Sequence, residues 1–207
     1  MKPFIYIFLF SLFTVSCHSQ TKTSERPVVG GPCEGCEAIY EYGERLLASV
    51  DTLPNFTTTE PKLRISGKVY HMDGKTPAAN VILYIYQTNR AGLYATLGNE
   101  TGWARRHGYI RGWIKTDKQG QYTFYTFRPG AYPGGTEPEH IHITVKEPDK
   151  NEYYIDDYVF DDDPLLTDKK RRAMSNRSGS GIVQPIEKEG IFVVERNIIL
   201  GLNIPDY

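Results

Sequence analysis

Between residues 63 and 200, apolar residues occur in short runs that turn residues separate. Val81 to Gln87 is apolar on both faces, which is typical of a strand that is buried on both sides. Tyr109 to Thr116 and Tyr122 to Phe127 flank a short loop that contains Gly120, and this pattern predicts a β-hairpin. The other predicted strands are Ile65–Tyr70, His140–Val145, Tyr158–Phe160, Ile182–Ile186 and Ile191–Leu200. Residues 62–207 are therefore predicted to form an all-β domain, an antiparallel β-sandwich.

The first residues have the pattern of a signal peptide, which we predict over residues 1–16. Lys2 is positively charged, and Phe4 to Phe13 is almost wholly apolar but too short to span a bilayer, which needs about 20 residues. Small residues then precede Cys17, as in the bacterial lipobox, although Thr14 stands where Leu is usual. We expect lipidation of Cys17 and an extracytoplasmic protein anchored to a bacterial membrane, in the periplasm or at the cell surface. The alternative is an ordinary secretory signal with an incidental cysteine.

Residues 17–61 are predicted to form a tether followed by a short N-terminal helical extension. Ser19 to Pro32 is rich in Ser, Thr, Gly and Pro, as linkers are. Cys33 and Cys36 form an even pair once Cys17 is assigned to lipid, so a disulfide is expected in an oxidising compartment. A redox Cys-x-x-Cys at a helix start is the alternative. Ala38 to Val50 is predicted to be helical, with four apolar residues roughly on one face: Ile39, Leu46, Leu47 and Val50.

Charge and hydropathy exclude two classes of partner. The 24 Lys and Arg residues nearly balance the 25 Asp and Glu residues, and no basic stripe stands out, so no nucleic-acid partner is expected. No second apolar segment is long enough to span a membrane, so membrane contact is expected through the N-terminal lipid only.

The charged, Gly- and Ser-containing segment from Lys169 to Ser180 is predicted to be a solvated loop.

His140-Ile141-His142 is the sharpest local signal for chemistry. Residues i and i+2 of a strand point to the same face, about 6.5–7 Å apart along the chain, so two imidazoles can converge on one metal ion. Ile141, Ile143 and Val145 would then face the opposite way, toward a core. By itself the pattern also fits two polar residues on a solvent-facing strand.

Several motifs around this strand occur in the order found in one enzyme family. They are Gly92-Leu93-Tyr94, Thr116-Asp117 with Gly120-x-Tyr122-x-Phe124, Pro129-Gly130-Ala131-Tyr132-Pro133, Pro138-Glu139-His140-Ile141-His142 and Phe160-Asp161-Asp162-Asp163-Pro164-Leu165. On these motifs the chain resembles the intradiol ring-cleavage dioxygenases, the family of catechol and protocatechuate dioxygenases. The resemblance covers roughly residues 63 to 200.

The resemblance implies a non-haem Fe(III) centre whose ligands are Tyr94, Tyr132, His140 and His142. Phenolate and imidazole suit this ion, because two bound tyrosinates carry negative charge that stabilises Fe(III) over Fe(II). The resemblance also implies that Tyr132 leaves the iron when substrate arrives. The implied partners are a small aromatic diol and O₂, with ring cleavage between the two hydroxyl-bearing carbons. Family enzymes often assemble, so a homo-oligomer is compatible with the resemblance.

Two positions depart from the family pattern. Glu137 stands where family members usually carry an arginine that stabilises negative charge on the substrate, and Asp157 stands near the place of a frequent glutamine. Arg111 is the candidate catalytic residue that would replace this arginine; alternatives are Arg105, Arg106 and Arg128. Glu137 is a candidate catalytic residue whose charge would act on ring substituents of the substrate, unless it simply points to solvent.

Two other functions stay open on the sequence alone. One is a surface module that binds carbohydrate or protein, because β-sandwiches host many unrelated functions. The other is a binder of ferric iron or ferric catecholates that keeps the metal ligands without turnover. Visible colour from tyrosinate-bound Fe(III), together with oxygen uptake on catechols, separates the three functions.

Cys17→Ala is expected to release the protein from the membrane fraction, because the substitution removes the residue predicted to carry the lipid. Fractionation of cells that express each protein, followed by immunoblotting, measures the change. Cys33→Ala is the matched control and is expected to stay with the membranes. Unchanged membrane association of Cys17→Ala would exclude the lipid anchor.

Overall fold

A computed structural model describes residues 28–207, which fold into two β-sheets packed face to face. Within this range the chain forms a 3-10 helix (Cys36–Tyr40) and two short α-helices, α1 (Ala104–His107) and α2 (Asp168–Ala173). The strands, in chain order, are β1 (Val50–Thr52), β2 (Lys62–Tyr70), β3 (Ile82–Gln87), β4 (Arg111–Lys115), β5 (Gln121–Phe127), β6 (His140–Lys146), β7 (Glu152–Tyr154), β8 (Tyr158–Phe160), β9 (Ile182–Val183), β10 (Ile186–Lys188), β11 (Ile191–Glu195) and β12 (Ile198–Ile199). The predicted all-β sandwich is confirmed.

The first sheet has the strand order β1-β5-β2-β11-β10, and β12 also pairs with β2. Its centre is the antiparallel pair β2 and β5, in which Ile65 lies opposite Phe124. β11 joins the other side of β2 in parallel, so strands from early and late in the chain lie side by side. β1 and β12 also pair in parallel with their neighbours, which adds parallel edges to the antiparallel centre.

The second sheet has the strand order β4-β3-β6-β8-β9, and β7 also pairs with β6. β3 is antiparallel to both β4 and β6. In this register Tyr86 lies opposite Arg111 on one side and opposite His142 on the other. Directly opposite residues in a sheet project from the same face, so these three side chains share the outer face of the second sheet.

Alternation along β3 separates the core from this outer face. Leu83 and Ile85 are fully buried between the two sheets. Tyr84 points the other way and is also fully buried, in a small cluster completed by Ala38, Ile39 and Trp113. The prediction that β3 is covered on both faces is confirmed, and the 3-10 helix supplies part of the second cover.

The predicted helix from Ala38 to Val50 is wrong. Only Cys36–Tyr40 is helical, as a 3-10 helix, and turns follow it. Gly43 has a φ of 61°, which lies outside the range of a right-handed helix, and Val50 already belongs to β1, which pairs with β5. Leu46, which the predicted helix placed on its apolar face, is 101% exposed. Residues near Val50 therefore pair with a distant strand, although the local spacing of apolar residues favours a helix.

Other boundaries differ from the predictions in smaller ways. The segment Lys169–Ser180, predicted to be a loop, contains most of α2, because the Thr167 hydroxyl caps this helix by accepting a hydrogen bond from the Lys170 N–H at 3.4 Å. The predicted strands Ile182–Ile186 and Ile191–Leu200 are each divided into two. β1, β7 and α1 were not predicted.

Three predictions on the N-terminal region lie outside the described residues: the signal peptide over residues 1–16, the lipidation of Cys17, and the tether as far as residue 27. Cys33 and Cys36 lie within them, and a disulfide joins these two residues. None of the helices between residues 28 and 207 is both long and apolar enough to cross a bilayer.

Leu63→Ala is expected to lower the free energy of unfolding by about 2–5 kcal/mol, because Leu63 is fully buried between the sheets and its truncation leaves a cavity. Leu46→Ala makes the same chemical change at a fully exposed position, and we expect an effect within about 0.5 kcal/mol. Urea denaturation followed by circular dichroism measures both. Equal losses in the two variants would contradict the described burial.

Candidate metal centre

Four side-chain donor atoms converge at one point on the outer face of the second sheet. The Tyr94 hydroxyl oxygen lies 2.5 Å from that of Tyr132 and 2.7 Å from Nε2 of His142. The Tyr132 oxygen lies 3.1 Å from Nε2 of His140 and 3.5 Å from Nε2 of His142. The two Nε2 atoms are 3.2 Å apart. The structure thus brings together all four residues that the sequence predicted as metal ligands.

The two histidines owe their position to the period of β6. His140 and His142 project from one face, while Ile141 and Ile143 between and beyond them are fully buried in the core. His142 is directly opposite Tyr86 of β3, so the pairing of β3 with β6 fixes the height of this imidazole on the sheet.

The two tyrosines come from loops that cross at glycine residues. Gly92 has a φ of 76°, and a Cβ there would lie 1.9 Å from the carbonyl oxygen of Ala131. A Cβ on Gly130 would lie 2.4 Å from the carbonyl oxygen of Arg90. Because neither residue carries a side chain, the β3–β4 and β5–β6 loops touch backbone to backbone. This contact holds Tyr94, two residues after Gly92, against Tyr132, two residues after Gly130.

Each histidine is oriented by a partner on its other ring nitrogen. Nδ1 of His140 lies 2.7 Å from the carbonyl oxygen of Pro138, which can only accept a hydrogen bond, so Nδ1 carries the hydrogen. Nδ1 of His142 lies 3.0 Å from a carboxylate oxygen of Asp157. Both contacts leave the Nε2 lone pairs free to bind a metal, as in carboxylate–histidine–metal arrangements.

Asp157 belongs to the orienting group of this centre. Its carboxylate, His140 and His142 offer ligand atoms that all lie within 4.8 Å of one another. We assign it to orientation because it contacts Nδ1 of His142, on the side of the ring away from the two tyrosines. Burial favours a higher pKa for the Asp157 carboxyl, but the charge and hydrogen bond of His142 outweigh it and hold the pKa below its usual range.

Burial controls the protonation of the donor atoms. It raises the pKa of Tyr94 and, together with the charge of Asp157, that of Tyr132, whereas it lowers the pKa of His140. These surroundings favour neutral phenols and a neutral imidazole, and a bound cation reverses the preference of the phenols. Two phenolate oxygens and two imidazole nitrogens form a donor set that fits Fe(III).

The arginines considered as replacements for the missing family arginine have other partners. Arg111 forms an ion pair with Glu41 at 2.6 Å, and its guanidinium lies 4.9 Å from the centre of the Trp113 ring. Arg128 pairs with Glu139 at 2.5 Å and with Asp162. The remaining two also bond elsewhere: Arg105 with the carbonyl of Glu100, and Arg106 with the carboxylate of Glu34.

Glu137 lies at the rim of the centre, mostly in solvent. Its side chain is 60% exposed, and its carboxylate is 3.9 Å from the ammonium group of Lys170 on α2. Its charge still contributes to the raised pKa of Tyr132, although less than burial does. Glu137 is therefore near enough to influence the donor atoms but does not contact them.

An aromatic stack behind His142 was not predicted from the sequence. The Tyr86 ring lies between that of His142, with centres 4.4 Å apart, and that of His107, with centres 3.8 Å apart. His107 is buried, Nδ1 lies 2.9 Å from the Tyr84 hydroxyl, and burial lowers the pKa of His107 to about 4, so its imidazole is neutral. The register of β3 against β6 brings Tyr86 to His142, and the packing of α1 brings His107 to the other face of the Tyr86 ring.

Comparisons with known proteins agree with this geometry. Residues 42–184 match the sequence model of a family described as Dioxygenase. Over 111 residues the chain is 30% identical to the protocatechuate 3,4-dioxygenase beta chain of Burkholderia cepacia, a match that covers 51% of this chain and 47% of that one. This chain belongs to the intradiol ring-cleavage dioxygenase family. It is also 30% identical over 106 residues to the catechol 1,2-dioxygenase of Candida albicans, covering 44% and 34% of the two chains. The matches span less than half the length of these curated relatives.

Solved structures share the intradiol dioxygenase fold. Catechol 1,2-dioxygenase from Acinetobacter sp. ADP1 aligns with a TM-score of 0.56 at 20% identity, covering 76% of this chain and 60% of that one. The dioxygenase domain of a dioxygenase–carbohydrate-binding protein fusion from Streptomyces sp. SirexAA-E aligns with a TM-score of 0.52 at 21% identity, covering 69% and 84%. At these identities the likeness establishes the fold alone.

Asp157→Ala is expected to weaken iron binding by about 10–100-fold, because His142 loses the partner that orients its ring. Asp157→Asn keeps an oxygen that can accept the Nδ1 hydrogen, so we expect it to retain more of the affinity. Asp149→Asn, at a position whose side chain is mostly exposed, is the control and should bind as the wild type does. Competition with a chelator, followed by visible absorption, measures the affinity. Wild-type affinity in Asp157→Ala would remove the orienting role.

Proposed function

We propose that this chain is a non-haem Fe(III) dioxygenase that cleaves catechol-type rings between the two hydroxyl-bearing carbons, with O₂ as co-substrate. The observation that carries the proposal is the convergence of two phenols and two imidazoles, whose hydroxyl oxygens and Nε2 atoms make contacts of 2.5–3.5 Å. All four residues lie inside the region that matches the family. Family membership supports the reaction class, and the donor set supports Fe(III) as the metal.

Tyr94, Tyr132, His140 and His142 would hold the iron. When bound, Fe(III) supplies a Lewis acid and a template that binds the diol and prepares its ring for reaction with O₂. The contacts of the histidines to Pro138 and Asp157 keep both Nε2 atoms aimed at the same point. Ligand atoms that are oriented in advance lose little freedom when the ion binds.

Tyr132 is the residue that moves a proton in this proposal. A diol that binds through both oxygens must lose two hydroxyl protons; a phenolate oxygen of Tyr132 within the donor cluster can accept one, and the other goes to solvent. Tyr132 leads into residues 133–137, all exposed, so its loop has room to turn the phenol away. Tyr94 lies 2.7 Å from Nε2 of His142 and stays in place.

The location of the protein is a separate proposal that rests on the sequence. We infer an extracytoplasmic protein, tethered to a bacterial membrane through lipid on Cys17, because small residues precede this cysteine at the end of an apolar signal segment. A small aromatic diol would reach the site from the same compartment. Assembly into a homo-oligomer stays a prediction from the family resemblance.

The purified protein is expected to contain iron, to absorb visible light, and to consume O₂ when catechol is added. Iron analysis, absorption spectroscopy and an oxygen electrode measure the three properties. Coloured, iron-containing protein that consumes no O₂ on any catechol would instead identify a ferric or catecholate binder. Colourless protein that does not take up iron would identify a binding module.

Tyr132→Phe is expected to lower turnover of catechol by about 100-fold or more, because the proton acceptor is lost, while part of the iron stays bound with altered colour. Tyr94→Phe is expected to lose most of the iron, since a non-departing ligand is removed. Tyr70→Phe, in β2 of the other sheet, is the control for loss of a phenol and should keep both properties. Equal turnover in Tyr132→Phe and Tyr70→Phe would contradict the role of Tyr132.

A further inference from the structure

The 133–137 loop, which follows Tyr132, has few polar contacts with other parts of the domain. Its five residues are all exposed, and the Gly135 N–H donates a hydrogen bond back to the Tyr132 carbonyl at 3.0 Å. Gly134 has a φ of 65°, and a Cβ there would meet no atom within 4 Å. Within residues 28–207, the only hydrogen bonds and ion pairs that join this loop to another element come from the side chain of Lys170.

Lys170 reaches the loop from α2. Its ammonium group donates a hydrogen bond to the Thr136 carbonyl and lies 3.9 Å from the Glu137 carboxylate. The Lys170 side chain is only 28% exposed, so these contacts are partly shielded from solvent. Hydrogen bonds from an ionised donor are stronger than those between neutral groups. One side chain therefore fixes two adjacent residues of the loop.

α2 is itself attached to the second sheet. Arg171 pairs with the Asp161 carboxylate and also donates a hydrogen bond to the Asp161 carbonyl at 2.6 Å. Asp161 directly follows β8, in which Val159 lies opposite His140 of β6. The helix thus joins the 133–137 loop to the strands on which the histidines are built.

Tyr94 does not depend on this helix. The loop before it is closed by Asn89, whose side-chain oxygen accepts hydrogen bonds from the N–H groups of Ala91 and Leu93 at 2.9 and 3.1 Å. Tyr132 is held by the glycine crossing on one side, and the residues on its other side are held by the contacts from α2. Removing those contacts would therefore free one side of Tyr132 and leave Tyr94 in place.

We infer that Lys170 is a positioning residue for Tyr132. It restrains the 133–137 loop, and its contacts must break or shift before the phenol can turn away from the donor cluster. Lys170 acts through the loop and not on the donor atoms. The inference rests on the proposed function, in which Tyr132 departs as the diol binds.

Three variants test this restraint. Lys170→Met removes the ammonium group and keeps the length of the side chain, whereas Lys170→Arg keeps a cation that can donate to the same oxygen atoms. Lys169→Met is the matched control, because it makes the first change at the neighbouring, exposed position of α2. The first measurement uses metal-free protein, in which ¹⁵N relaxation gives backbone order parameters for residues 134–137. Ala91 and Leu93 serve as an internal reference.

In Lys170→Met we expect the order parameters of residues 134–137 to fall toward values below about 0.6, which are typical of flexible backbone. The reason is that the loop loses its polar contacts to α2. Ala91 and Leu93 should keep their values, since Asn89 holds them. Lys170→Arg and Lys169→Met should resemble the wild type.

The second measurement follows Tyr132 itself. Iron-loaded protein is mixed with catechol without O₂ in a stopped-flow instrument, and the loss of visible absorption from one tyrosinate is timed. Lys170→Met is expected to lose this absorption about three to ten times faster than the wild type, because a charge-assisted hydrogen bond and a partly exposed ion pair no longer oppose the motion. Lys170→Arg and Lys169→Met should react at close to the wild-type rate.

The outcomes separate this inference from the proposed function. If the wild type takes up no iron, or catechol does not alter its absorption, the proposed function fails and the inference fails with it. If the wild type responds but Lys170→Met leaves either the order parameters or the rate unchanged, the inference alone is overturned. Equal changes in Lys169→Met, or equal loosening at Ala91 and Leu93, also overturn it, because the effect would then come from helix charge or general stability.

Discussion

The centre depends on a backbone crossing that only glycine permits. The loops that carry Tyr94 and Tyr132 touch at Gly92 and Gly130, where any side chain would overlap a carbonyl oxygen of the opposite loop. The crossing brings two phenols from separate connections to the end of one strand, where two histidines already share a face. Rigid positioning of all four donors follows from strand pairing and this contact, and it requires no long flexible side chain to reach across solvent.

The N-terminal segment both packs against the second sheet and lines a cavity beside His142. The 3-10 helix covers the outer face of β3 by packing Ala38 and Ile39 against Tyr84 and Trp113, so it contributes to the folded state as a second small core. The residues just before it form the outer wall of the cavity beside His142. A change that loosens this segment would therefore affect the packing of the sheet and the shape of the cavity together.

Much of the fold could be predicted from the sequence, because a period of two identifies strands such as β3 and β6 from local residues alone. His140 and His142 followed from the same period, whereas Tyr94 and Tyr132 required the family resemblance. Asp157 was noticed only as a departure from that family, since its contact with His142 depends on how β6 and β8 pair. The predicted helix after Ala38 failed for a related reason: β1 gains its hydrogen bonds from β5, more than 70 residues away, and no local pattern reports this.

The position of β2 in its sheet affects how the chain folds during synthesis. β2 is completed on one side by β5 and on the other by β11, whose residues come about 130 positions later. During synthesis, the edge of β2 that will receive β11 stays unpaired until nearly the whole domain has emerged, and an unpaired edge can add strands from other chains. A nascent chain of this topology would need to be kept apart from its neighbours until residues 191–195 are available, and a fragment that stops before Ile191 would carry that open edge permanently.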